Sequence, residues 1–499
     1  YASNQGSGEV NIHSGNQINE KWSTGVFAHA STAQFEMDRN NDGFRDIPIG
    51  EEYVFMNRWK YQGKNNISQF GVKANHSEKI GGTIGFDPRG ATQDNYGVTI
   101  RNNKVELFGK NGWTFEDHPY RTFGMIYYAK YQELSAIYGR RNLQAEEYRG
   151  YLNLLYEDIL GSTIHGIKAG ASLVFDDLNQ TLLDNIPTGV MQNDLIRTEI
   201  VPGVYSEYTY TGLRTTIVAG GRLDYHNLFG WQGTPRFNIK YRLNEDMDLR
   251  ATIGRGFRVQ NYAVDHLSLM ATNIPWIVQN DLLPETSWNA GLSWYYEFKI
   301  ANKKASFNID YFHTYFTNQL IADRDEDPSV IIFKNLSGVS FSNVLQADFR
   351  IEPLRGLEIK TAYKFLDVRA TMGGMLMEQM MIPRHRGFIN AGYITRNKRW
   401  EFDITGSVFG RQRLAPVVLP DMSVSQDNTS GIMHNVNAQI THVFKRFDFY
   451  LGGENITDFR LMDPIIDVQN PFGQHFDATR VWAPIVGVNV YVGIRIKLD

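Results

Sequence analysis

Cysteine is absent from all 499 residues. That excludes thiol nucleophiles, disulfide frameworks and cysteine-ligated metals, and it fits a bacterial envelope protein. Long apolar runs are missing too: no stretch approaches the roughly 18 residues that a spanning helix needs. No segment keeps an i, i+3, i+4, i+7 apolar stripe over several turns, so amphipathic helices are lacking. Nor is there an excess of one charge. A net charge of −4 and a pI near 6.3 give no reason to expect nucleic acid as a partner. GxSxG, P-loop and HExxH signatures are all missing, and no enzymatic activity is expected. The chain opens on Tyr1 without a signal peptide, which points to a mature or truncated form.

What the sequence does have is alternation. In "PIVGVNVYVGIRIKL" the even positions from Val486 to Leu498 are apolar, while Gly487, Asn489, Arg495 and Lys497 take the other face. In "WEFDITGSVFG", Trp400, Phe402, Ile404 and Val408 oppose Glu401, Asp403, Thr405 and Ser407. "MDLRATIGRGF" sets Met247, Leu249, Ala251 and Ile253 against Asp248, Arg250 and Thr252. A period of two with one wet face is a β-strand pattern, and the chain reads as all-β. A mean hydropathy of −0.36 suits a barrel whose strands alternate between lipid and lumen.

Sandwiches and propellers alternate in the same way, so the connections decide. Short polar turns stand at 63–66, 243–246, 301–304, 353–356, 396–399 and 444–446. Between them lie connections read as long and irregular: 79–99, 179–196, 259–284, 371–384, 414–430 and 461–480. Short turns at one end and long loops at the other predict a transmembrane antiparallel β-barrel with periplasmic turns and extracellular loops. About 20 strand runs follow from Trp22, one more covers 9–17, and Tyr1 to Ser3 form the tail of another, about 22 in all. Residues 1–499 are thus read as one barrel that starts inside its first strand. Tryptophans near strand ends, among them Trp22, Trp59, Trp113, Trp288, Trp294, Trp400 and Trp482, suit interfacial girdles.

With those strands on the page, a family resemblance becomes visible. "VPGVYSEYTY" (201–210), "VAGGRLDYHNLFG" (218–230), "TPRFNIKYR" (234–242), "LRATIGRGFRVQN" (249–261), "LLPETSWNAGLSW" (282–294), "PRHRGFINAGYIT" (383–395) and "LGGENITDFR" (451–460) together resemble the barrel of TonB-dependent outer-membrane receptors. "NRWKYQ" (57–62) and "FGKNGWTF" (108–115) carry the resemblance towards the N-terminus. It implies active import across the outer membrane of a Gram-negative bacterium. A scarce ligand such as a siderophore, corrinoid, haem or copper complex would be bound outside and released inward when the TonB–ExbB–ExbD complex pulls on a plug domain. A surface lipoprotein is a further partner consistent with this reading. Two features depart from the pattern: no plug domain is seen in the sequence, and the last residue is Asp499 where such barrels end on an aromatic.

Three stretches offer sites. In "MDRNNDGFRDIP" (37–48), Asp38, Asn40, Asp42 and Asp46 hold the first, third, fifth and ninth positions of a calcium loop, with Gly43 at the sharp turn. Hard oxygens so spaced suit a structural calcium ion. Ile49 stands where a bidentate Glu belongs, and the competing reading is an Asx-rich turn. "TMGGMLMEQMM" gathers Met372, Met375, Met377, Met380 and Met381, thioethers that suit Cu(I) or an adaptable apolar surface. The loop 260–284 carries Asp265, His266, Trp276 and Asn280. His266 suits an axial iron ligand, although the "FRAP" and "NPNL" phrases of haem importers have no good match here. The acidic "DRDEDP" beginning at Asp323 reads as a solvated loop tip. Two rival functions stay open: a passive or structural barrel serving as a channel or lipoprotein scaffold, and a calcium-dependent adhesin centred on 37–48.

Overall fold

Alternating strands joined by short polar turns must pair with their chain neighbours, and the computed structural model shows such pairing throughout. It describes residues 1–90, 95–426 and 428–498. The departure noted at Asp499 lies outside them, as do parts of the connections 79–99 and 414–430.

The chain divides into two compact units. One comprises Glu9–Gln34 and Pro48–Ile239. In it, Trp22–Ala33, Ile49–Gln62, Asn66–Gly82, Gly97–Phe115, His118–Tyr138, Arg141–Leu160, Ser162–Ile186, Gly189–Thr211 and Thr215–His226 each pair antiparallel with the next. The tallest of these correct an expectation. Residues 179–196 are not an irregular loop but the tip of a hairpin, in register up to Gly189 opposite Ile186. Leu178, Leu182 and Ile186 keep the period of two and are buried with Leu143 and Ala145. Arg141 Nε donates to Asp184 Oδ1 at 2.8 Å in the same buried layer. Apolar burial on one face holds a strand together well past the height of a membrane crossing.

The other unit comprises Tyr1–Gly8, Phe35–Ile47 and Lys240–Asp499. Its ladder runs through Met247–Arg258, Glu285–Ile300, Lys303–Asn318, Ser340–Leu354, Leu357–Met372, His385–Ile394, Trp400–Phe409, Met433–Val443, Phe447–Glu454 and Asn489–Ile496, all antiparallel. Ala2–Ser3 then pairs with both Asn489–Ile496 and Ser7–Gln17, joining the last strand to the first. At the turn 301–302, Ala301 and Asn302 both take positive φ, 46° and 64°, the twist that matches a two-residue hairpin.

The main sheet has 23 strands. The hairpin Met375–Glu378 only extends the top of Leu357–Met372, and the remainder is the expected antiparallel barrel of 22 strands. Helix is confined to Tyr262–Asp265 and a 3-10 turn at Leu267–Met270 among the described residues. The faces sort as predicted: Trp400, Phe402, Ile404 and Val408 are 40–49% exposed, as are Leu451 and Val490. So broad an apolar band on an outer surface is what lipid covers.

Candidate functional site

The loops of the second unit fold into a core of their own. Asn261 caps the helix Tyr262–Asp265 by accepting from the N–H groups of Ala263 and Val264, and Asp265 accepts in return from Asn261 N–H. Such a reciprocal cap fixes a helix too short to persist alone. Beside it, Trp276–Val278 pairs parallel with Ile331–Asn335, which pairs antiparallel with Leu320–Asp323. Trp276, Met270, Ile331 and Phe333 are at most 1% exposed. The Trp276 and Phe333 rings stand 4.8 Å apart, and His266 meets Phe333 edge-on at 5.3 Å.

Polar side chains stitch this core to the other loops. Arg324 reaches Asp477 at 2.6 Å and Thr479 Oγ1 at 2.7 Å, with both charged side chains at most 3% exposed. Thr272 donates to the Phe476 carbonyl, and Asn273 to those of Pro471 and Gly473. Asp325 pairs with Arg413. Asp323 takes Lys334 at 3.1 Å and the Gly373 N–H at 3.1 Å. Burial pushes the Asp323 carboxyl up, but the N–H groups of Gly373, Asp325 and Glu326 together with Lys334 outweigh it and hold it below the ordinary carboxylate range. The expectation of a solvated acidic tip holds for Glu326 and Asp327, which are exposed, and is corrected for the residues before them. Asp323 and Arg324 are buried, because an arginine and a lysine supply the charge that lets acids leave water.

Between these loops opens a cavity of about 600 Å³. His266, Met380 and Met381 line it together with Arg258, Gln260, Gln379, Arg324 and Arg480. His266 Nδ1 lies 3.0 Å from the Tyr262 carbonyl. A carbonyl only accepts, so Nδ1 is the donor in this contact. Met381 holds a positive φ of 60°, secured by its N–H on the Arg413 carbonyl at 2.8 Å. Arg258 pairs with Asp265 at 2.5 Å on the wall.

The other residues singled out in the sequence are dispersed. Trp276 lies under the cavity as core, and Met372, 2% exposed, is packed away as well. Met375 sits 64% exposed at a hairpin tip, and Met377 lines a separate notch. In the stretch 37–48, Asp38 accepts the N–H groups of Asp42 and Gly43 at 3.0 and 2.9 Å. Asp42 accepts from Phe44 N–H and Asn40 Nδ2, both at 2.8 Å, and Asp46 from Arg39 N–H at 2.8 Å. Burial, then the charges of Asp38 and Asp42, raise the Asp46 carboxyl despite the Arg39 N–H. Among the described residues no three His, Asp or Glu side chains converge as a metal site. Sequence reading missed Arg324, Asp477, Gln379 and Arg480. The one available signal was an arginine set between acids in "DRDEDP".

A family model described as TonB dependent receptor-like, beta-barrel, matches residues 13–456. The chain belongs to that family. It is thereby one of the outer-membrane receptor barrels that import ligands. No protein of curated function matches the sequence. Among solved structures, the siderophore receptor PirA from Pseudomonas aeruginosa is similar at 14% identity, over 98% of this chain and 76% of that one, with a TM-score of 0.64. The ferripyoverdine receptor of the outer membrane of Pseudomonas aeruginosa, bound to ferripyoverdine, is 12% identical over 99% of this chain and 70% of its own, at 0.72. PirA from Acinetobacter baumannii gives 12%, 98%, 77% and 0.68. Identities this low carry the barrel fold; the receptor's cargo must be argued from its own cavity.

Proposed function

We propose that this receptor imports a metal chelate across the outer membrane of a Gram-negative bacterium, driven by the TonB–ExbB–ExbD complex acting through a plug domain. The chelate is first held in the 600 Å³ cavity. The observation that carries this reading is the convergence there of an imidazole, two thioethers and arginines on loops tied together by a buried ion pair. Arginine forks suit the anionic oxygens of a chelate, while methionine walls adapt to its organic shell. Several relatives of the same fold are siderophore receptors, which favours a ferric chelate over corrinoid, haem or copper cargo.

Uptake by whole cells carrying the full-length protein tests this. Cells are offered labelled ferric citrate, ferric enterobactin, a ferric hydroxamate, haemin, cobalamin and a copper chelate, with and without a protonophore. Accumulation of one chelate that stops with the protonophore supports energised import. Accumulation that persists makes the barrel a passive channel, and uptake of none removes the cavity's assigned role. The calcium ion expected at Asp38, Asn40, Asp42 and Asp46 enters this proposal only as a loop-ordering ion. Calorimetry with calcium chloride showing no heat would remove it.

A further inference from the structure

In the first unit the strand Gly189–Thr211 stands taller than one of its two neighbours. Ser162–Ile186 pairs with it to the top, whereas Thr215–His226 reaches only as far as Gly203, opposite Asp224. Just above, Pro202 has no N–H to offer on that side. Asn227 takes up the next positions. Its N–H donates to the Ile200 carbonyl, its Oδ1 accepts from Ile200 N–H, and its Nδ2 donates to the Thr198 carbonyl. Beyond that cap the edge is open.

The bonds to Asn227 fix which backbone groups face the open side. Ile200 and Thr198 point away from Ser162–Ile186, so by the period of two Ile196, Asp194, Gln192 and Val190 do as well. Among the described residues no other backbone pairs with them there. Ile196 is 76% exposed and Val190 69%. Exposed edges are commonly blunted by proline or lysine, and neither stands between Val190 and Thr198.

The outer face beside this edge carries one sign of charge. Register sets Glu133 opposite Glu146, Glu146 opposite Asn179, and Asn179 opposite Ile196. Asp177 shares that face with Thr198, whose Oγ1 donates to its carboxylate, and Asp194 follows two residues beyond Ile196. Across 131–137, 142–148, 177–185 and 190–198 the face holds these four acids and no lysine or arginine. Arg197 lies on the opposite face, engaged by Glu199 at 2.6 Å.

We propose that Val190–Thr198 accepts a strand from a partner protein at the cell surface, an extended segment with lysine or arginine across from Asp194 and an apolar side chain across from Ile196. Main-chain hydrogen bonds give such an added strand its affinity, and alternate side chains its selectivity. A second copy of this chain would bring the same four acids, and like charges facing across strands repel, so a basic partner is favoured over self-association. The cargo cavity is built from the loops of the other unit, so this site does not rest on the cargo assignment.

Fluorescence anisotropy on the full-length protein in a non-ionic detergent tests it. The probe is a labelled peptide of matching length, with lysine and valine taking turns at every second position and threonine between them. The expected result is saturable binding that slows hydrogen exchange over 189–198. Methylating the peptide's backbone nitrogens along one edge weakens binding at least about tenfold. Asp194→Lys weakens the lysine peptide about fivefold and strengthens a glutamate counterpart. Ile196→Pro removes one edge donor and leaves the pairing with Ser162–Ile186 whole, as Pro202 does in the same strand, and it too weakens binding. Heat-modifiable migration on gels shows that each variant keeps its barrel. No binding of the lysine peptide, or equal binding of the methylated or glutamate forms, would overturn the proposal. So would a dimer in native mass spectrometry that itself protects 189–198, which would make the edge a contact between copies.

Discussion

Arg324 and Asp477 are 153 positions apart in the chain and meet at 2.6 Å with both side chains closed to water. The contact ties the loop after Leu320–Asp323 to the loop before Asn489–Ile496, and the cargo cavity opens beside it.

Removing one partner strands a buried charge. Asp477→Ala is expected to cost the loop core about 3–5 kcal/mol, leaving the strand ladder intact. Limited proteolysis should show the loops cut while heat-modifiable migration persists. The paired replacement R324M/D477L should recover much of the loss, and loops as resistant in Asp477→Ala as in the parent would show that the pair does not hold them.

Acid should open the same loops before it touches the barrel. The folded Asp323 carboxyl sits below its unfolded value of 3.8. Its contribution is therefore present above 3.8 and is lost as pH falls from there through the lower folded value. Hydrogen exchange at the Gly373 N–H should quicken over that window, and Asp323→Asn should flatten the dependence.

Asp46 runs the other way. Burial raises its folded value above 3.8, so the folded loop binds the proton more tightly than the unfolded chain. Loop stability rises as pH falls through the raised value and levels off below 3.8. Asp46→Asn keeps an oxygen for Arg39 N–H, and should give slower exchange in 37–48 at neutral pH with no gain below 3.8. Asp38→Ala, by contrast, removes the acceptor for two N–H groups and should cost the loop about 1–2 kcal/mol at neutral pH.

Met381 separates strain from recognition. Its positive φ costs about 1 kcal/mol in a side-chain-bearing residue, so Met381→Gly should leave the loops as stable or more so. The same change strips a thioether from the cavity wall. Chelate uptake should fall even as thermal stability holds; uptake unchanged would remove Met381 from the site.

Much of this was legible in the chain. Alternation at Trp400–Phe409 and Asn489–Ile496, with two-residue turns such as 301–302, reports local geometry that a sequence carries openly. Residues 179–196 were misread because the partner layer that buries Leu182 and Ile186 comes from Arg141–Leu160, remote in sequence. Asp323 and Asp325 looked solvated because their counter-charges, Lys334 and Arg413, come from elsewhere in the chain. The methionine cluster looked like one site, yet the glycine turn at 373–374 and the bend at Met381 send its members to four environments.

The loops of the second unit are joined chiefly by side chains reaching from one to another: Arg324 to Asp477, Arg413 to Asp325, Asn273 to Pro471. Each loop thus carries half of a contact whose other half is encoded elsewhere. Grafting any one of them onto a second barrel would transplant an orphaned charge or amide along with it. Ligand choice in such a receptor is inherited by the set of loops, and would be exchanged between barrels only as a set.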